Sequence, residues 1–150
     1  MTTIRALTAD DRDEWLPLWA AYIEFYESEV ADDVTASTFA RFLDTAVPMH
    51  GALARDDAGR AVGFVHWLEH HATWSKGGYT YLEDLFVDPS VRGGGVGRAL
   101  IAHVTEAARA VGSDKVYWLT AETNTTARAL YDRVATRTGF IHYEIGLEGA

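Results

Sequence analysis

Three observations in the 150-residue sequence predict a mixed α/β fold. Segments of helical periodicity alternate with strand-like runs, a short polar turn joins two of those runs, and a third run delivers a glycine loop straight into a helix. The length suits one compact domain, residues 1–150, with one active site.

The elements follow in order. Thr2 to Leu7 reads as an opening strand. Thr8 with Asp11 three residues on has the form of a capping box. Trp15, Leu16, Trp19, Tyr22, Ile23 and Tyr26 then recur at helical spacing; their aromatic stripe reads as core. Pro17 lacks an amide donor and crowds the preceding turn, so this helix starts near it or kinks. Thr35 or Ser37 is placed to cap a second helix carrying Phe39, Phe42, Leu43 and Val47. Ala52 to Arg55 and Ala61 to Glu69 read as strands joined by Asp56-Asp57-Ala58-Gly59. Tyr79 to Val87 is the next strand, ended by Asp88-Pro89. From Gly97, the residues Leu100, Ile101, Val104, Ala108 and Val111 share a helical face, and Gly112 supplies a stop. Lys115 to Thr120 reads as a buried strand, Asn124 to Ala135 as a helix, and Gly139 to Ile145 as a closing strand rich in β-branched and aromatic residues.

Composition excludes several function classes. With no cysteine, disulfides, thiolate metal sites and acyl-cysteine chemistry are absent. Asp and Glu number 22 against 13 Lys and Arg, a formal charge of -9, which disfavours nucleic acid as a partner and favours cationic substrates. No apolar run approaches the roughly 18 residues of a membrane span. The N-terminus has no secretory signal pattern, so the expected location is cytoplasmic. His66, His70 and His71 lack the spacing of a metal site, and no metal is expected.

The strongest chemical signal is the run from Leu82 to Leu100, with Arg92-Gly93-Gly94-Gly95-Val96-Gly97-Arg98 between strand and helix. Glycine permits positive φ and close backbone approach, so successive amides and the helix N-terminus can face phosphate oxygens. Arg98 stands where a dinucleotide fingerprint has its third glycine, and no Gly-Lys-Ser/Thr ending is present for a triphosphate loop. In Arg-x-x-Gly-x-Gly at Arg92, Gly95 and Gly97 the sequence resembles the GNAT superfamily of N-acetyltransferases. Asn124-Thr125-Thr126-Ala127-Arg128-Ala129-Leu130-Tyr131 is similar to that family's Asn-x-x-Ala-x-x-Leu-Tyr helix, and Gly139-Phe140 to the Gly-Phe opening its last segment. Leu82 to Val87 is further similar to the diamine and the histone-and-polyamine acetyltransferases.

The resemblance implies a mostly antiparallel central sheet flanked by helices and splayed near Leu85. It also implies direct acetyl transfer from acetyl-coenzyme A to a primary amine, a polyamine or another small cationic amine. Arg92, Gly93, Gly94, Gly95, Val96, Gly97 and Arg98 would hold the pyrophosphate. Leu85, Phe86 and Val87 would hydrogen-bond the pantetheine arm as an added strand. Asn124 would bond that arm or cap its own helix. Glu83 is implied as the general base and Tyr131 as the general acid that protonates the leaving thiolate. Asp84 competes with Glu83 for the base role and is otherwise a substrate contact. Strand alternation sends Glu83 and Asp84 to opposite faces unless a bulge intervenes. Glu24, Glu27 and Trp67 complete the implied acceptor site. Seven residues separate Tyr131 from Gly139, a longer link than is common in the family, so the loop entering the last strand is remodelled and that strand is free to serve a dimer contact; the resemblance implies a homodimer. A noncatalytic acyl-coenzyme A sensor and acetylation of a protein N-terminus or lysine are the alternative functions.

Overall fold

In the computed structural model, residues 1–147 are described and divide into two compact units, one ending at Leu119 and the other beginning at Thr120. The first unit contains β1 (Thr3–Ala6), α1 (Arg12–Phe25), α2 (Asp32–Leu43), β2 (Met49–Arg55), β3 (Ala61–Ala72), β4 (Ser75–Val87), α3 (Val96–Ala110) and β5 (Val116–Tyr117). They build a five-stranded sheet in the order β1-β2-β3-β4-β5, antiparallel except for the parallel β4–β5 pair. The second unit contains α4 (Thr125–Val134).

Both faces of the sheet are covered, because β3 alternates between them. His66 meets Trp15 of α1, while its neighbour Trp67 meets His103 of α3 with ring centroids 5.7 Å apart. The core on the α1 and α2 side joins Leu7, Trp15, Leu18, Phe39, Leu53, Phe64 and Phe86. Near its edge the Asp11 carboxylate accepts from the Thr8 amide at 2.8 Å and from the guanidinium groups of Arg5 and Arg55. That anchor fixes the turn from β1 into α1.

Several elements differ from their sequence expectation. Pro17 lies inside α1, which begins at Arg12 after a short 3-10 turn. The second helix starts at Asp32 rather than at Thr35 or Ser37; Asp32 and Asp33 occupy its first turn, where acidic groups favour the helix dipole. Thr35 instead accepts a hydrogen bond from the Trp19 indole at 3.0 Å.

The strand expected from Lys115 to Thr120 shrinks to Val116–Tyr117, half-buried, because its ladder with β4 holds only Thr80↔Val116 and Tyr81↔Tyr117. Beyond Tyr81, β4 keeps β3 as its one strand neighbour among the described residues. This divergence is the splay expected near Leu85. No strand forms over Gly139 to Ile145 either. Strand propensity there finds no ladder partner among the described residues, and Phe140, Ile141, Tyr143 and Ile145 are left exposed.

Candidate active site

The site begins with a fault in the β3–β4 ladder. Val65 pairs with Leu85 and His66 with Asp84, but Trp67 pairs with Leu82, so Glu83 has no partner of its own. Two residues of β4 thus occupy one step, a β-bulge that breaks alternation. Leu82 stays on the α3 side with Trp67, whereas Asp84 comes to the α1 side with His66. Glu83 reaches that same α1 and α2 side. There its carboxyl feels Asp84 and Arg41, and Tyr22 and Tyr81 in turn feel its charge. The two carboxylates therefore share one face.

Their environments differ. Asp84 is held on both oxygens: the Tyr22 hydroxyl donates to Oδ1 at 2.8 Å, and His66 Nδ1 lies 2.9 Å from Oδ2. Glu83 is exposed. Even so, its surroundings raise the carboxyl above the usual range, first by desolvation and then by the charge of Asp84, with Arg41 opposing. A carboxylate tuned upward in this way is a better proton acceptor for an ammonium than an ordinary surface glutamate.

At the end of β4 the chain turns through Pro89–Val91, where the Asp88 carboxylate accepts from the Ser90 amide at 2.9 Å. Arg92, Gly93, Gly94 and Gly95 are exposed, and α3 starts at Val96 with Gly95 as its N-cap. Gly93 and Gly95 sit at φ 86° and 84°, the left-handed region that glycine enters without a Cβ penalty. Nothing lies within 4 Å of where a Cβ would sit on either residue, so the backbone is open to a ligand. The first-turn amides of α3, including those of Val96, Gly97 and Arg98, have no intrahelical acceptor and suit an anion. The Arg92 guanidinium lies over the Phe25 ring at 5.8 Å. Leu85, Phe86 and Val87 lie on the stretch of β4 beyond the β5 ladder.

Other sequence-singled residues are placed elsewhere. Trp67 is buried on the α3 side, on the opposite face from Asp84. Glu24 and Glu27 are exposed at the end of α1. Glu24 lies about 200° around the helix from Tyr22, at about 100° per residue, so it is not brought beside Glu83. In the second unit, the Asn124 side chain accepts from the Ala127 amide at 3.3 Å and caps α4, which carries Tyr131. His70 bonds the Tyr117 hydroxyl and the His71 carbonyl. Among the described residues no group of three His, Asp or Glu side chains is arranged for a metal.

Trp15 and His66 join the site although the sequence marks the one as core and the other only as a metal-ligand type, and Tyr22, which the sequence sets near the acidic end of α1, reaches Asp84. The one signal available was the strand period that sets His66 beside Phe64 on the core face.

Comparisons with known proteins assign the family. Residues 10–135 match the acetyltransferase (GNAT) family. Over 142 residues the chain is 38% identical to the D-amino-acid N-acetyltransferase HPA3 of Saccharomyces cerevisiae, covering 94% of this chain and 88% of that protein. It is 36% identical to the mycothiol acetyltransferase of Salinispora tropica, with 96% of this chain covered but only 48% of the relative. A solved probable acetyltransferase superposes with a TM-score of 0.86 at 22% identity, over 99% of both chains. The aminoglycoside acetyltransferase AAC(6')-Iy, solved with a bisubstrate analog, superposes at 0.84 and 22% identity, over 98% of this chain and 99% of that one. Members of the family use acetyl-coenzyme A as acetyl donor, and no helix among the described residues is long and apolar enough to cross a membrane. The chain belongs to the GNAT family of acetyltransferases and is an N-acetyltransferase.

Proposed function

We propose that the chain transfers the acetyl group of acetyl-coenzyme A directly to the primary amine of a small cationic acceptor, a polyamine in the first instance. Glu83 is the general base, acting through water, and Tyr131 is the general acid. The observation that carries this reading is the bulge that sets Glu83 and Asp84 on one face of the sheet. A pair of carboxylates attracts an ammonium, and the upward-shifted one can then take its proton. The formal charge of -9 adds long-range attraction, to which the exposed Glu24 and Glu27 contribute. Arg92 to Arg98 hold the pyrophosphate, and Leu85, Phe86 and Val87 the pantetheine. Residues 1–150 act as one catalytic domain, in the cytoplasm and as a homodimer. The exposed apolar run from Phe140 to Leu147 supports the dimer, and sedimentation equilibrium measures it directly.

A second acceptor class is an α-amino acid. Arg41 forms no ion pair among the described residues and lies close enough to Glu83 to act on it electrostatically, so it offers a counterion for a carboxylate. The name of the yeast relative points the same way. Thiol release from acetyl-coenzyme A, followed with polyamines, D- and L-amino acids and aminoglycosides, separates the classes. Release with polyamines supports the first reading. Release with amino acids alone replaces it with the second, and no release with any of these amines places the acceptor outside all three classes.

The pyrophosphate assignment carries its own expectation. Gly95→Asp places a side chain at φ 84° and a negative charge at the N-terminus of α3. Coenzyme A affinity should fall by at least about tenfold, 1.4 kcal/mol. Calorimetry showing wild-type affinity in the folded variant would remove the site from this loop.

A further inference from the structure

The chain of side chains behind the bulge runs from the core to the carboxylate pair. The Trp15 indole donates to His66 Nε2 at 3.0 Å, His66 Nδ1 meets Asp84 Oδ2 at 2.9 Å, and Tyr22 donates to Asp84 Oδ1 at 2.8 Å. Trp15 is 0% exposed and His66 2%. The rings of Trp19, Phe42 and Phe64 enclose the imidazole, Phe42 and Phe64 at 4.4 and 4.5 Å.

Proton positions follow from the donors. Because the indole N–H is directed at Nε2, that nitrogen must offer its lone pair, so the ring proton is on Nδ1 and is donated to Asp84. An imidazolium would set two N–H groups head to head, and burial further disfavours the charged ring. Burial, and then the charge of Asp84, also keep the Tyr22 phenol protonated. Asp84 thus accepts two hydrogen bonds from neutral donors. Its negative charge is stabilised by them but not cancelled.

We propose that His66 is a positioning residue: fixed by Trp15 with its proton on Nδ1, it holds the Asp84 carboxylate in one orientation beside Glu83. This inference rests on the reading of Glu83 as the base. The titratable groups facing the pair are Tyr22 from α1, Arg41 from α2, His66 from β3, and Tyr81 from β4. Of these only Arg41 is a cation at neutral pH, so the pair retains the net negative charge that an ammonium requires.

Two measurements test the proposal. In protein labelled with ¹⁵N-histidine, long-range ¹H–¹⁵N spectra should show His66 protonated on Nδ1, bare on Nε2, and unchanged between about pH 5 and 8. A proton on Nε2, or titration within that range, would overturn it without reference to activity. The second measurement is the pH profile of kcat/KM. His66→Phe removes one donor from Asp84 and leaves its charge less dispersed beside Glu83, which makes the last proton on the coupled pair harder to remove, so the acidic limb should move up. His66→Asn, which can still donate to Asp84, should restore most of the shift. In an Asp84→Asn background, His66→Phe should move the limb no further. A loss of rate with an unmoved limb would make His66 merely structural. Wild-type turnover in Glu83→Gln would instead defeat the base assignment while leaving the NMR result standing.

Discussion

Glu83→Gln is expected to lower turnover by about 10²-fold at neutral pH, with a deficit that shrinks as pH rises. A primary ammonium has a pKa near 10, so little of the acceptor is nucleophilic at pH 7 unless the enzyme removes its proton. Solution hydroxide takes over that task at higher pH. In the wild type the base form is lost as pH falls through the raised pKa of Glu83, so the acidic limb of kcat/KM should lie above the ordinary carboxylate range. Asp84→Asn deletes the neighbouring negative charge and should move that limb down. It should not reach the free-glutamate value, because desolvation, the larger cause, remains. The stability sign is opposite to the activity sign. A carboxyl whose folded pKa exceeds its unfolded value opposes folding once ionised, so Glu83→Gln should leave the neutral-pH melting temperature unchanged or higher. A variant that lost activity by unfolding would show the reverse.

Tyr131→Phe should reduce turnover by about 10²-fold and leave coenzyme A affinity nearly unaltered. The proposed role rests on its position in the Asn124 to Tyr131 match on α4. A phenol carries a proton that it can donate to a departing thiolate. Phenylalanine keeps the ring and removes only the hydroxyl, so packing is largely preserved. Stopped-flow measurement of thiol release with saturating acceptor separates the chemical step from product release. Unchanged turnover would assign Tyr131 to packing instead.

The parts of this site that were legible in the sequence are those made by neighbours in the chain. The turn from Arg92 to Gly97 takes its shape from backbone conformation within one turn, so glycine spacing suffices to find it. Asn124 caps α4 through an amide three residues away. The bulge at Glu83 was not legible, because it is defined by which residues of β3 lie opposite, and register is a tertiary property. The contacts Trp15–His66 and Tyr22–Asp84 span 51 and 62 residues, beyond any local pattern. Gly139 to Ile145 failed for the converse reason. Its residues favour extended structure, but a strand also needs a neighbour, which composition cannot supply. The parallel β4–β5 pair was shorter than its apolar sequence suggested because the strands separate after Tyr81.

The buried indole behind His66 gives the protein an intrinsic optical reporter. Trp15 stacks on Trp19 at 5.4 Å, and both rings adjoin the imidazole that holds Asp84. Their ultraviolet emission is therefore expected to respond to a change of charge at the carboxylate pair. Trp74, 92% exposed at the tip of the β3–β4 hairpin, contributes a water-relaxed, red-shifted background. Replacing Trp74 with phenylalanine would lower that background and make the interior pair a larger share of the signal, so that acceptor binding could be followed by fluorescence without any attached dye.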